Sequence, residues 1–103
     1  MSMKSRRHEL HDKLKTVCNT VYFQPPRSES MKYPCIRYEL AGIPTARADN
    51  KVYLNWKRYT VTYITENPDD EVVAQLLELL PHVSFDRQYK SGNLYHNVFE
   101  IYY

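Results

Sequence analysis

Two kinds of hydrophobic spacing alternate along this chain, one near helical period and one of strict two-residue alternation. Met3, Leu10, Leu14, Val17 and Cys18 fall near one face at helical spacing, with Arg6, His8, Glu9, Asp12, Lys13 and Lys15 filling the rest. This predicts an amphipathic helix of about four turns, ended at Asn19 and Thr20. Val21-Tyr22-Phe23 is a short β-prone run closed by Pro25-Pro26, and a polar loop follows from Arg27 to Lys32. From Tyr33 to Leu40 the pattern alternates, with Ile36, Tyr38 and Leu40 on one side and Cys35, Arg37 and Glu39 on the other, as in a strand with one buried face. Ala41 to Lys51, with Gly42, Pro44, Asp49 and Asn50, breaks both periods and reads as a loop. It exceeds the roughly 2–5 residues that usually close a hairpin, which hints at function.

Val52 to Thr65 is the longest strand candidate, with Tyr59, Val61 and Tyr63 sharing a face and Trp56 at a possible bend. A second helix is expected next. Asn67 suits its N-cap, Pro68 its first position, and Asp69, Asp70 and Glu71 the positive end of its dipole. Val72, Val73, Leu76, Leu77 and Leu80 form its wide apolar stripe, and Pro81 stops it. Val83 to Tyr89 alternates with Val83, Phe85, Arg87 and Tyr89 on one face. Lys90-Ser91-Gly92-Asn93 is a turn, and Leu94 to Tyr103 returns with Phe99, Ile101 and Tyr103 on one face and Val98 and Tyr102 on the other, which makes a terminal hairpin. The expected fold is α+β, a single domain over residues 1–103 in the order α-β-β-β-α-β-β. Its four- to five-stranded antiparallel sheet carries both helices on one face.

Composition changes this picture little. The 103 residues suit one domain, and 43% hydrophobic with 25% charged residues is ordinary globular usage. Tyrosine stands out at 10 residues, a side chain that suits half-buried sheet surfaces and protein interfaces. The 2 glycines argue against glycine-rich phosphate loops, and a net charge of +2 is too small to imply nucleic acid. The basic start lacks the apolar run of a secretory signal, and no stretch reaches membrane-spanning length. Cys18 and Cys35 lack metal-ligand spacing and read as reduced thiols of a cytosolic protein.

The candidate chemistry is thin. His8 and His11 could share a helix face and ligate a metal, but no third ligand is apparent, and a solvated polar face explains them. Cys18 on the apolar stripe and Cys35 within a strand read as structural thiols rather than nucleophiles. Asp69-Asp70-Glu71 reads as helix capping rather than a hard-cation site. Asp86 and Arg87 are expected on opposite faces of their strand and so unable to act together. Lys4, Arg6, Arg7, Lys13, Lys15, Arg47, Lys51, Lys57 and Arg58, with Tyr53, Trp56 and Tyr59, resemble a nucleic-acid surface. Glu9, Asp12, Glu39 and Asp49 interrupt it, and a mixed surface accounts for it. Neither catalysis nor a cofactor nor a bound metal is expected. The remaining feature is a tyrosine-rich sheet ending on a strand at the C-terminus, where a sheet edge can pair with other chains.

Several segments resemble the small tail-completion, or tail-terminator, proteins of long-tailed phages and prophages of Gram-positive bacteria. They are Val21-Tyr22-Phe23-Gln24-Pro25-Pro26, Met31-Lys32-Tyr33-Pro34, and Ala48-Asp49-Asn50 leading to Tyr53. They continue with Arg58-Tyr59-Thr60-Val61-Thr62, Asn67-Pro68-Asp69, Phe85-Asp86-Arg87, Asn93-Leu94-Tyr95-His96 and Phe99-Glu100-Ile101-Tyr102-Tyr103. Together they span nearly the whole chain, and none is a catalytic signature. The resemblance implies a ring of six copies in the virion neck that caps the tail tube and presents a surface to the head connector. DNA would pass through such a ring without specific binding. Related expectations are a head-completion or adaptor protein of the same neck, or a small nucleic-acid-binding domain. The loop and the strand after it supply the expected protein interface: Ile43, Arg47, Asp49, Lys51, Tyr53, Trp56 and Arg58.

Overall fold

The computed structural model describes residues 6–25, 31–43 and 57–103. Along the chain run α1 (Arg6–Leu14), β1 (Val21–Phe23), β2 (Cys35–Gly42), β3 (Arg58–Thr65), α2 (Val72–Leu79), β4 (Val83–Ser91) and β5 (Leu94–Tyr102). The fold is α+β, a five-stranded sheet with two helices, and the strands lie in the order β1-β2-β3-β5-β4.

The sheet is mixed rather than purely antiparallel. β1 pairs with β2 in parallel, Val21 opposite Ile36 and Phe23 opposite Tyr38, while the other three pairings are antiparallel. A parallel neighbour needs a connection that returns to the same end of the sheet, and such a return falls between Phe23 and Cys35 in the sequence. A second correction concerns the edges. The strand expected at an edge, β5, is an interior strand between β3 and β4, so among the described residues the sheet edges are β1 and β4.

One face of the sheet carries the core. Its rows run Val21–Ile36–Tyr63–Asn97–Gln88 and Phe23–Tyr38–Val61–Phe99–Phe85 across the five strands. Leu10 and Leu14 of α1, with Leu76 of α2 and Leu80 just beyond it, join Ile36, Tyr38, Tyr59, Val61, Tyr63, Phe99 and Ile101 in one buried cluster. Each leucine so buried contributes about 1.5–3 kcal/mol. Leu10 and Leu14 stand four apart and therefore share a helix face. α1 ends earlier than its apolar spacing predicts: Val17 and Cys18 pack against the core from the turn that follows it.

The first helix is also held by its cations. The Arg6 guanidinium lies 4.3 Å from the centre of the Tyr103 ring, and that of Arg7 lies 4.3 Å from the centre of Phe23. Arg7 donates to the Tyr38 hydroxyl at 3.4 Å, and the hydroxyl lies 2.8 Å from His11 Nδ1. A hydroxyl that accepts from Arg7 has its own proton to give, which suits a neutral His11 accepting at Nδ1. Burial holds the His11 pKa below its ordinary 6.5, and the Lys15 and Arg7 charges lower it further.

The second helix starts later than Asn67-Pro68 suggests. Asn67 Oδ1 instead accepts from the Asp69 amide at 3.0 Å, a local turn. Glu71, directly before the helix, makes no side-chain cap. Asp70 supplies it: Oδ1 accepts from the Val72 amide at 3.1 Å, while Oδ2 accepts from the hydroxyls of Tyr63 at 2.7 Å and Thr65 at 2.9 Å. One carboxylate thus caps α2 and ties it to β3. Burial pushes the Asp70 carboxyl up, but these three donors outweigh it, and its pKa falls below 3.8.

β4 does not alternate throughout. A bulge between Phe85 and Arg87 keeps Val83 and Phe85 opposite Ile101 and Phe99 but turns Arg87 and Tyr89 to the other face, opposite Val98 and His96. The bulge also brings Arg87 Nη1 to 3.5 Å from Asp86 Oδ2, so these neighbours do meet, contrary to the alternation argument. The pair is exposed and contributes little. At the hairpin turn Gly92 has φ of 61°, which an L side chain adopts only with strain.

Two outcomes are expected from these contacts. Asp70→Ala should lower the free energy of unfolding in urea by about 1–3 kcal/mol, because three donors lose a charged acceptor. Acid should act on wild type in two windows. His11 and Asp70 both have folded pKa values below their unfolded ones, so each stabilises fully above its unfolded value and loses that contribution as pH falls through the folded one. Stability should therefore drop first below about pH 6.5 and again below about pH 3.8. Thermal melts of His11→Gln and Asp70→Asn across pH should each lack one of these steps; an unchanged profile in either would remove that residue from the account.

Candidate functional site

α2 packs on the sheet at its β4 side and leaves a groove of about 570 Å³ between helix and strand. Val73, Ala74 and Leu77 form its helical wall, Phe85 and Gln88 its strand wall, and Asn97 of β5 part of its floor. Leu77 and Phe85 are 40% and 43% exposed, high for side chains of this size, and they stand on opposite walls. The Phe85 ring meets Phe99 edge-on at 5.4 Å, which fixes its position from below. Pro68, Asp69, Asp70 and Glu71 close the α2 entrance, so among the described residues every charged side chain lining the groove is a carboxylate.

The floor is rigid and polar. Asn97, buried, donates from Nδ2 to the Tyr63 carbonyl at 3.2 Å and accepts from Gln88 Nε2 at 2.7 Å. Gln88 Nε2 also donates to the Pro68 carbonyl at 3.1 Å, which links β4 to the chain entering α2. Beside the groove, every residue of β4 from Ser84 to Ser91 is exposed.

A second, smaller cleft of about 270 Å³ is lined by Gly42, Ile43, Arg58 and Tyr102. Two residues of the expected interface, Ile43 and Arg58, meet there. Arg58 lies across Gly42 toward the Ala41 carbonyl at 3.4 Å and sits 3.6 Å from the Glu100 carboxylate. Ile43 is 58% exposed. Arg47, Asp49, Lys51, Tyr53 and Trp56 lie outside the described residues, as does most of the expected loop.

The other candidates resolve into structural contacts. His11 Nδ1 is engaged with Tyr38, and His8 Nε2 lies 2.8 Å from Arg7 Nη2. Among the described residues no three His, Cys, Asp or Glu side chains gather as a metal site. Cys35 is buried, and burial together with the nearby Cys18 pushes its thiol up to about 11, far from a reactive thiolate. Cys18 points its thiol toward the Thr20 carbonyl at 3.5 Å. Tyr59 is buried in the core and offers no ring for stacking bases, while Arg6 and Arg7 are engaged with rings of their own chain. Among the described residues no helix is long and apolar enough to cross a membrane.

The groove was missed from sequence because Leu77 belongs to the same apolar stripe as the buried Leu76. The available signal was the width of that stripe, which exceeds what one sheet contact covers. Substituting the two leucines separates core from groove. Leu76→Ala should cost about 2–5 kcal/mol in urea unfolding, and Leu77→Lys less than about 1 kcal/mol. Equal losses would place Leu77 in the core.

Comparison with known proteins adds no relative: no protein-family profile matches the chain, and no curated protein is significantly similar to it.

Proposed function

We propose that this chain is a structural assembly protein, a tail terminator that forms a ring of six, caps the tail tube and joins it to the head connector. One observation carries the protein-binding part of this reading. An exposed edge strand lies beside a groove with exposed Leu77 and Phe85, an arrangement suited to contact with another polypeptide. The phage assignment is supported by the sequence resemblance, which runs from Val21 to Tyr103. The cleft holding Ile43 and Arg58 gives the loop-side interface an apolar residue and a charge at one place. A closed ring suits a terminator because a heterologous contact that closes cannot propagate into a filament.

Purified chain should form rings in solution, and added to tubes of the cognate tail protein it should stop their growth at one end, seen by negative-stain microscopy. Deleting Ile43 to Ala48 should leave a folded protein that no longer caps. If the shortened chain folds and still limits tails to normal length, the loop is no part of the interface; if the intact chain neither forms rings nor binds tubes, the terminator reading fails.

A further inference from the structure

We propose that the groove between α2 and β4 receives an extended, apolar and basic segment of a partner polypeptide, which adds to β4 as a sixth strand. This rests on reading the chain as a protein-binding subunit and names the partner chemistry at one surface.

Three features select that occupant. First, among the described residues β4 pairs only with β5, so its outer backbone amides and carbonyls face solvent. A strand satisfies such a row of groups; a docked helix has its own backbone bonds closed and cannot. Second, the groove borders that edge. Side chains of an added strand that point to the core face would enter between Leu77 and Phe85, and about 570 Å³ accommodates several small apolar side chains. Third, the charge at the α2 entrance has one sign. Asp69 and Glu71 are exposed there, and among the described residues no basic side chain lines the groove; Arg87 and Lys90 stand on the edge strand itself, outside that lining. A lysine or arginine at one end of the incoming segment matches the Asp69 and Glu71 carboxylates, which fixes register as well as identity.

The bulge bounds the contact. It interrupts the regular edge at Asp86, so the straight run available for pairing is Arg87–Ser91. A short ladder gives little affinity by itself, which makes Phe85 and Leu77 the anchors.

The test uses the full chain, labelled for NMR, and a short capped peptide alternating threonine and valine with two lysines at one end. Saturable shifts are expected at the amides of β4 from Arg87 to Ser91 and along α2 from Val73 to Leu77, with slowed amide exchange confined to β4. Phe85→Asp should weaken binding on the order of tenfold. Leu77→Lys, whose exposed position spares the fold, should weaken it by a similar factor. Replacing the peptide lysines by glutamate should weaken it about threefold or more at low salt. The proposal is overturned by an absence of saturable shifts, or by shifts at the Ile43–Arg58 cleft instead. Equally fatal would be protection along α2 alone, which marks helix docking, or self-association of the free chain abolished by Phe85→Asp, which marks a second copy as occupant. Tube capping by Phe85→Asp separates the two levels. A variant that caps normally but has lost the peptide leaves the terminator reading intact, whereas wild type that binds peptide and never caps defeats that reading alone.

Discussion

The arrangement of this domain depends on β5 filling the slot between β3 and β4. β3 and β4 both run antiparallel to β5 and therefore share a direction, so the chain must cross over β5 to get from one to the other. α2 makes that crossing as part of a split β–α–β unit. Because the helix spans the strand that comes last, its position is fixed only when β5 enters the sheet and the row Tyr63–Asn97–Gln88 closes beneath it. The edge position of β4, the lie of α2 and the groove between them all follow from that insertion.

Polar contacts hold this unit at points where apolar packing alone would allow sliding. Asp70 binds the start of α2 to β3 through the Tyr63 and Thr65 hydroxyls. Asn97 binds β5 to β3 and β4 at once, and Gln88 carries the connection on to Pro68. A buried amide left unpaired costs about 1–3 kcal/mol, so a register slip that broke the Asn97 bonds would be penalised beyond the lost packing. At the far end of the sheet α1 is held differently, by Arg6 and Arg7 against aromatic rings and by Leu10 and Leu14 in the core. Two of the cations that gave the first helix its basic character, Arg6 and Arg7, thus act within the molecule.

What the sequence made legible was local. Alternation in Cys35–Leu40 and Arg58–Thr65 identified two strands and the inward residues Ile36, Tyr38, Tyr59, Val61 and Tyr63, but it misplaced the ends of the first: Leu40 of that row is exposed, and Cys35 on the opposite face is buried. The α2 stripe and the hairpin turn at Gly92 were equally plain. Directions and neighbours were not legible. Three residues at Val21–Phe23 carry no signal for parallel against antiparallel pairing, because that is decided by where the returning chain enters. The bulge at Asp86 adds one residue to a run whose polar and aromatic side chains tolerate either face, so strict alternation misplaced Arg87 and Tyr89. The N-cap was assigned to Asn67 on residue type, yet the helix waits for Asp70, whose carboxylate can reach both the Val72 amide and the β3 hydroxyls. Of the expected interface, Ile43 and Arg58 do come together, while the α2–β4 groove stayed hidden because a helical stripe does not say which of its leucines the sheet will cover.

An exposed edge strand is a hazard as well as an opportunity, and β4 carries features that limit the hazard. Asp86, Arg87 and Lys90 place charges along it, and the bulge bends it away from a flat template. These devices oppose open-ended stacking of sheet on sheet, which needs a long, regular and uncharged edge. They are compatible with a short added segment whose affinity comes from side chains beside the strand. Leu77 and Phe85 stand exposed beside the strand without lengthening the edge. Among the described residues the other edge is β1, which has three residues and is followed by Gln24, whose φ of 45° turns the chain out of the strand. The two edges are therefore unequal: β1 has three residues, while β4 has nine, of which Arg87–Ser91 lie beyond the bulge. Such a pair of edges opposes polymerisation through the sheet, because neither offers the long, regular and uncharged run that open-ended pairing needs.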